Sequence, residues 1–265
     1  MNRSDQQEAY WDETADLYNE ITTISIKDFH YGPLLPGDSQ LSLLPSQLQG
    51  LSALELACGA GQNTIYLHDQ GVNCSAMDIS QKQLGEATKI ATNRQINFFQ
   101  SPLDALTEYP ALGKFDLIHS SYGIPFADHP SKLIKQLCEN HLNEGGTFIC
   151  SLAHPLYYGE WLELDENEEG MFMDNYFEHK RDKRELYEGH VSEIGSDAYP
   201  ISEMLNWFID AGLKIEKVLE PKAINPNNLS TEQLNSKIPY YSKDWLELYP
   251  ILAKVPVVFI IKATK

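Results

Sequence analysis

From Leu51 to Leu152 short apolar runs follow one another at intervals that suit one fold class above others. Strands are expected at Leu54–Cys58, Asn73–Met77, Ile96–Gln100, Phe115–His119 and Thr147–Leu152. Helical patterns lie between them: a short one through Ile65 and Leu67, one opened by Ser80 with Leu84, Ala87 and Ala91 on a face, and one carrying Leu133, Ile134, Leu137 and Cys138. This alternation predicts a parallel sheet covered by helices on both faces. Right-handed crossovers then bring the carboxyl ends of the strands to one edge, where ligands bind. The first strand runs into Cys58-Gly59-Ala60-Gly61. Both glycines can take positive φ and carry no Cβ, so a turn here that opens a helix presents bare backbone to a nucleotide-like ligand. The plainer alternative is a glycine turn that only ends a strand.

Asp78 stands nineteen residues after Gly59, at the end of the second expected strand. An acid at that spacing sits beside the turn and can accept hydrogen bonds from both hydroxyls of a ribose. It could instead cap the following helix, but Ser80 is available for that role. Two features of an NAD site are missing. Thr64 replaces the third glycine of G-x-G-x-x-G, and the turn comes after some fifty residues rather than near the start.

Residues 1–50 read as an N-terminal helical cap. Ser4 and Gln7 form a capping-box pattern, and Trp11, Ala15 and Tyr18 fall on one face of a helix reaching about Asn19. A loop with Pro33, Pro36, Gly37 and Pro45 follows. Residues 51–153 form the cofactor-binding half. Over 154–199 the alternation stops: Glu160–Glu169 holds six carboxylates, Lys180–Arg184 four bases, and the segment reads as an insertion or substrate lid. Its Met171, Phe172, Met173, Tyr176 and Phe177 would be costly to expose, so they pack on the domain or line an acceptor pocket. Residues 200–265 return to the same sheet, with a helix over Pro200–Ala211, a strand over Leu213–Leu219 and a terminal strand over Val255–Ala263.

A net charge of −18 sets a negative field against polyanions, so nucleic acid is disfavoured as a partner. The four cysteines are scattered without C-x-x-C spacing and read as reduced, buried thiols of a cytoplasmic protein. The longest apolar run, Val255–Ile261, contains Pro256 and is too short to span a bilayer, so no membrane partner is expected. His179 and His190 stand among acids without metal-ligand spacing and read as solvated; no metal is expected.

The acid-then-G-x-G pattern of Glu55 to Gly61, with Asp78 and Asp104, resembles the class I S-adenosylmethionine-dependent methyltransferases, in particular the small-molecule branch that includes ubiquinone- and biotin-pathway enzymes. The resemblance rests on motifs over residues 51–153 and beyond them on strand pattern only. It implies an α/β, Rossmann-like, seven-stranded, mostly parallel sheet with an antiparallel last strand, and S-adenosylmethionine as cofactor. It places the methionine part against Ala57, Gly59 and Gly61, the ribose on Asp78 and the adenine between Leu103 and Asp104, with Glu55 and Ile79 as further cofactor-site residues. The segment Phe115–Gly123, with Ser120, borders the sulfonium and the acceptor; it lacks the Asn/Asp-Pro-Pro-Tyr/Phe signature of enzymes that methylate exocyclic amines of bases. Tyr10, Trp11 and above all Tyr18 would cover the methionine end.

Methyl transfer from a sulfonium is an in-line displacement, so alignment and exclusion of water are the protein's main work. A general base is needed only if the acceptor atom carries a proton, and His119, Tyr122 and His154 are the candidates by position. The expected activity is methylation of a small organic molecule with release of S-adenosylhomocysteine. The alternatives are an NAD-linked oxidoreductase and a catalytically silent cofactor-binding domain. Oligomeric state is not legible in the chain.

Overall fold

The computed structural model describes residues 3–108, 112–165, 168–187 and 190–265. In chain order it holds α1 (Arg3–Ile21), β1 (Thr22–Ile24), α2 (Asp38–Leu41), β2 (Ser52–Leu56), α3 (Gln62–Asp69), β3 (Asn73–Asp78), α4 (Gln81–Ile90) and β4 (Asn97–Gln100). Next come β5 (Phe115–Ser121), α5 (Pro130–His141), β6 (Leu142–Ala153), β7 (Glu160–Asp165), β8 (Glu168–Phe172), β9 (Arg181–Tyr187) and β10 (His190–Asp197). The chain closes with α6 (Ile201–Asp210), β11 (Lys214–Leu219), α7 (Thr231–Lys237), β12 (Tyr240–Ser242), α8 (Lys243–Glu247), α9 (Tyr249–Leu252) and β13 (Val258–Thr264).

Seven strands form one sheet in the order β11-β13-β6-β5-β2-β3-β4. β2 pairs in parallel with β3 and β5, β3 with β4, and β5 with β6, whereas β13 lies antiparallel between β6 and β11. This is the expected Rossmann-like architecture with an antiparallel last strand. The chain order reverses between β2 and β5, so a crevice opens at their carboxyl ends.

Side chains alternate across the sheet, and each face carries its own core. Ala53, Cys74, Leu117, Ile149, Val258 and Ile260 meet Phe29, Tyr31, Leu34 and Leu35 on one side. Leu54, Ile118, Phe148, Cys150 and Phe259 meet Leu133, Ile134 and Leu137 of α5 and Met204 and Phe208 of α6 on the other. Those helix residues recur at three- and four-residue spacing, which is why α5 and α6 lie flat on the sheet. Ser80 caps α4 as expected, its hydroxyl accepting from the Gln83 N–H at 3.1 Å.

Three segments depart from the sequence expectation. Residues 28–44, read as a loop, are core: Phe29, Tyr31, Leu34, Leu35 and Leu43 are buried. Buried irregular backbone needs partners, and two aspartates supply them. Asp38 accepts from Leu43 N (2.7 Å), Leu44 N (3.0 Å) and the Tyr31 hydroxyl (2.6 Å), and Asp28 accepts from Ser39 N (3.1 Å) and its hydroxyl (2.6 Å). Within 154–199, where no strand pattern was legible, β7–β8 and β9–β10 form antiparallel hairpins. β7 is largely exposed, and a two-stranded ribbon with no buried face leaves little alternation in the sequence to read. Finally, the three-residue pairing of β1 with β12 joins the end of α1 to a segment more than two hundred residues away.

All four cysteines are free and buried. No helix among the described residues is long and apolar enough to cross a membrane.

Candidate functional site

The turn after β2 is built from left-handed backbone. Ala57 has φ 54°, Gly59 φ 54° and Gly61 φ 74°. Two buried acids brace it. Asp78, at the end of β3, accepts from Gly59 N at 2.8 Å and from Ser80 N at 2.9 Å, so one carboxylate ties the glycine turn to the start of α4. Burial pushes its pKa up, opposed by these bonds. Glu55 accepts from Thr64 N at 3.0 Å and from the Thr64 hydroxyl. Thr64, which breaks the NAD pattern, thus anchors the first turn of α3 on the acid of the preceding strand. A Cβ at Gly61 would lie 3.0 Å from the Phe98 ring and 3.3 Å from Ala87, whereas one at Gly59 would meet only Gln83, at 4.0 Å. Gly61 is therefore a packing requirement, and Gly59 leaves room beside the crevice.

Beneath the turn lies a buried polar row. His119 of β5 pairs in register with Glu55 of β2, its Nδ1 3.8 Å from Glu55 Oε1. Burial dominates both groups: it raises Glu55 to about 8 and lowers His119 to about 3. Near pH 7 both are neutral, and the contact is not an ion pair. His30 joins them, lowered by burial to about 4. Asn63, the second residue of α3, clamps the His30 backbone, accepting from its N–H at 2.9 Å and donating to its carbonyl at 3.0 Å.

These shifts set a pH dependence of stability. The folded histidines refuse protons that the unfolded chain accepts below 6.5, so stability is full above 6.5 and falls on acidification. Folded Glu55 keeps its proton to about 8 while the unfolded carboxyl loses it above 4.5, so its contribution is lost as pH rises through about 8. Each group changes stability by about 1.4 kcal/mol per pH unit at most. Glu55→Gln should therefore gain on the wild type by about 2 kcal/mol between pH 6.5 and 8, read by urea unfolding. A difference that stays constant over that range would mean Glu55 is ionised in the fold.

The remaining sequence candidates divide by place. Ala57, Gly59, Gly61, Asp78 and Ile79 surround the carboxyl ends of β2 and β3. Leu103 is buried after β4, while Asp104 is exposed and accepts from Asp128 N at 3.0 Å, linking that turn to the loop after β5. Ser120 is buried and donates to Leu56 O at 3.1 Å, holding β5 against the start of the turn. Tyr122 has φ 64°, and its N–H donates to Ser151 O at 2.9 Å.

His154 lies at the end of β6 with both ring nitrogens engaged. Nε2 contacts Glu220 Oε1 at 2.9 Å and Nδ1 accepts from Leu156 N at 3.1 Å. Its pKa is lowered by burial against the pull of Glu220. His179 pairs with Glu203 at 2.9 Å on the surface. The side chain of His190 lies outside the described residues. Among those described, no three His, Cys, Asp or Glu groups are placed to hold a metal. Of the aromatic and methionine cluster, Tyr176 accepts from Ile201 N at 3.0 Å, Met171 lines an apolar pocket with Trp161 and Leu252, and Phe172 and Phe177 are exposed.

α1 crosses the crevice. Asp12 accepts from the Ser80 hydroxyl at 2.6 Å and from Lys82 N at 3.1 Å, Asn19 donates to Gln83 at 3.2 Å, and Gln7 donates to Phe126 O at 3.0 Å. Trp11 stands edge-on to Tyr18 and to Phe126, with ring centroids 6.0 Å apart in each pair. Tyr18 shares a 2.8 Å hydroxyl bond with Tyr240, and the Tyr240 ring meets His30 at 5.3 Å. These rings form one wall from the loop after β5 to the turn of β2. Sequence reasoning missed His30, Asn63, Phe126 and Tyr240. Only Asn63 stood next to a motif; Tyr240 arrives through the β1–β12 pairing.

The sequence pattern of the methyltransferase-domain family matches residues 30–218. The chain belongs to that family. It is 32% identical over 154 residues to an uncharacterized methyltransferase of Synechocystis sp. (strain ATCC 27184 / PCC 6803 / Kazusa), a match covering 56% of this chain and 66% of that protein. The chain thus spans just under two thirds of this curated relative. Its fold is similar to a solved S-adenosylmethionine-dependent methyltransferase from Mesorhizobium loti (TM-score 0.62, 22% identity, 86% of this chain and 96% of that one). It is also similar to a candidate methyltransferase of the same kind from Listeria monocytogenes (TM-score 0.67, 21% identity, 85% and 94%). At those identities the two structures speak for a shared fold. The residues here suit S-adenosylmethionine: left-handed backbone with open space at Gly59, and a carboxylate at Asp78 with lone pairs left after its two backbone bonds.

Proposed function

We propose that this methyltransferase-family protein transfers a methyl group from S-adenosylmethionine to a small organic acceptor in the crevice between β2 and β5. The observation that carries the proposal is the left-handed turn Ala57–Gly61 braced by Asp78, directly under the aromatic wall of α1. When bound, S-adenosylmethionine supplies an electrophilic methyl on a cationic sulfonium. The turn backbone holds the methionine end, Asp78 accepts from the ribose hydroxyls, and Ile79, Leu103 and Asp104 border the adenine. Trp11 and Tyr18 cover the crevice and keep water from the reacting atoms.

The charge of −18 favours a cationic ligand and opposes a nucleic-acid acceptor. A rim of α1, Phe126 and Tyr240 suits a small molecule rather than a polymer, and residues 154–199 are the proposed acceptor lid. A thermal-shift comparison tests the reading, because a ligand that binds only the folded state raises the melting temperature by mass action. S-adenosylhomocysteine at about a hundred times its Kd should stabilise by about 2.7 kcal/mol, and NAD should not. Stabilisation by NAD alone would overturn the proposal.

A further inference from the structure

The wall facing α1 ends in a histidine whose ring the fold's hydrogen bonding does not use. His30 is 8% exposed, and its Nδ1 is buried with no hydrogen-bond partner. A buried polar atom left unsatisfied costs about 1–3 kcal/mol, yet the residue is held firmly in place. Both its backbone groups are bonded by Asn63, and its ring packs edge-on against Tyr240 at 5.3 Å. Asn63 also donates to Ser121 Oγ at 3.3 Å, which fixes His30 over the carboxyl end of β5, at the reversal point of the sheet. The Nδ1 of His119 is likewise buried and unpartnered, but it lies inside the sheet against Glu55, whereas His30 sits on the segment held over the end of β5 through Ser121. A fixed nitrogen with an open valence there is the arrangement a proton acceptor requires.

Resting on the methyl-transfer reading above, we infer that His30 is the general base of the reaction, taking the proton of a neutral hydroxyl-bearing acceptor at Nδ1. The acceptor oxygen forms its bond to the methyl carbon as the carbon–sulfur bond breaks, leaving the electron pair on sulfur. The hydroxyl proton passes to His30, and the imidazolium releases it to solvent once the product has left. Charge is conserved: the sulfonium's positive charge moves to the ring, so the crevice never holds two cations. The same logic selects the acceptor class. A protonated amine would add a cation beside the sulfonium, and an anion needs a cationic partner, whereas none of the wall residues Trp11, Tyr18, His30, Phe126 and Tyr240 is Lys or Arg. A neutral hydroxyl needs what His30 offers. Burial keeps the ring unprotonated at neutral pH; His119 of β5 lies close enough to interact with it electrostatically, and the Tyr240 ring of β12 packs on it edge-on.

The test uses the full chain. In its S-adenosylhomocysteine complex at pH 7, 15N NMR of labelled histidine should show His30 Nδ1 as an unprotonated nitrogen; a protonated Nδ1 overturns the assignment without any substitution. Turnover is then read as S-adenosylhomocysteine release with a panel of phenols, catechols and hydroxy acids beside matched amines and thiols. His30→Gln should bind S-adenosylhomocysteine within about threefold of the wild type by calorimetry while hydroxyl methylation falls about a hundredfold. The deficit should close as pH rises through the probe's own pKa. His30→Phe, which keeps the packing on Tyr240, should behave alike.

Affinity falling in step with turnover would make His30 a cofactor-binding residue rather than a base, and unchanged turnover would make it core; either overturns the proposal. So does a wild type that binds S-adenosylhomocysteine yet turns over no hydroxyl probe, or prefers amines or thiols. A wild type that fails to bind S-adenosylhomocysteine at all strikes instead at the methyl-transfer reading beneath it.

Discussion

Asp78→Ala is expected to weaken S-adenosylhomocysteine binding about a thousandfold. A hydrogen bond to a charged group contributes about 1.5–3 kcal/mol, and two ribose hydroxyls on one carboxylate amount to about 4 kcal/mol. The same carboxylate accepts from Gly59 N and Ser80 N, so its removal also leaves two backbone donors without their partner and loosens the turn itself. Stability should fall by about 2–3 kcal/mol as well, which urea unfolding without ligand would measure separately. Asp78→Asn separates the two effects, since an amide oxygen can keep one backbone bond but accepts poorly from a second hydroxyl. It should recover much of the stability and little of the affinity. If Asp78→Ala binds S-adenosylhomocysteine as the wild type does, the ribose lies on another acid.

Gly61→Val should cost about 4 kcal/mol of stability. The residue sits at φ 74°, where a side chain costs about 1–2 kcal/mol, more for a branched one. Its Cβ would also stand 3.0 Å from one atom of the Phe98 ring, 3.2 Å from the next and 3.3 Å from Ala87, a collision worth about 1–3 kcal/mol in a packed site. For a chain of this size the melting temperature should drop by about 10 °C. Gly59→Ala is the control. It has a similar φ of 54° and open space around the new methyl, so about 1 kcal/mol of stability should go while cofactor binding suffers more than the fold. Equal destabilisation by the two substitutions would mean that α3 does not pack on Phe98 as described.

Much of the sheet was written locally. The runs at residues 54–58 and 73–77 alternate with helical stretches closely enough to announce β2, β3 and their connection, and Ser80 announced the start of α4. The hairpins at 160–172 and 181–197 gave no such notice; in the first of them, strands that bury no face carry no periodic pattern. The buried stretch 28–44 misled for a related reason. Its prolines and glycines read as loop, while the two aspartates that satisfy its backbone act through side-chain bonds that no spacing rule records.

The site shows the same division. Glu55, Gly59, Gly61 and Asp78 lie within about one βαβ unit, so their distances are set by strand and helix geometry and can be read from spacing alone. That is what the sequence by itself determined: a glycine turn over a parallel sheet, flanked by an acid at the end of the next strand. Only the tertiary structure decided which polar groups face the crevice. His119, a candidate base by position, is buried against Glu55, and His30, which no motif marked, is held over the end of β5; the Nδ1 of each is buried with no hydrogen-bond partner. Tyr240 reaches Tyr18 across more than two hundred residues through a three-residue strand pair. Contacts closed over such separations depend on how the whole chain packs, and burial, which sets the protonation of Glu55, His119 and His30, exists only once it has packed.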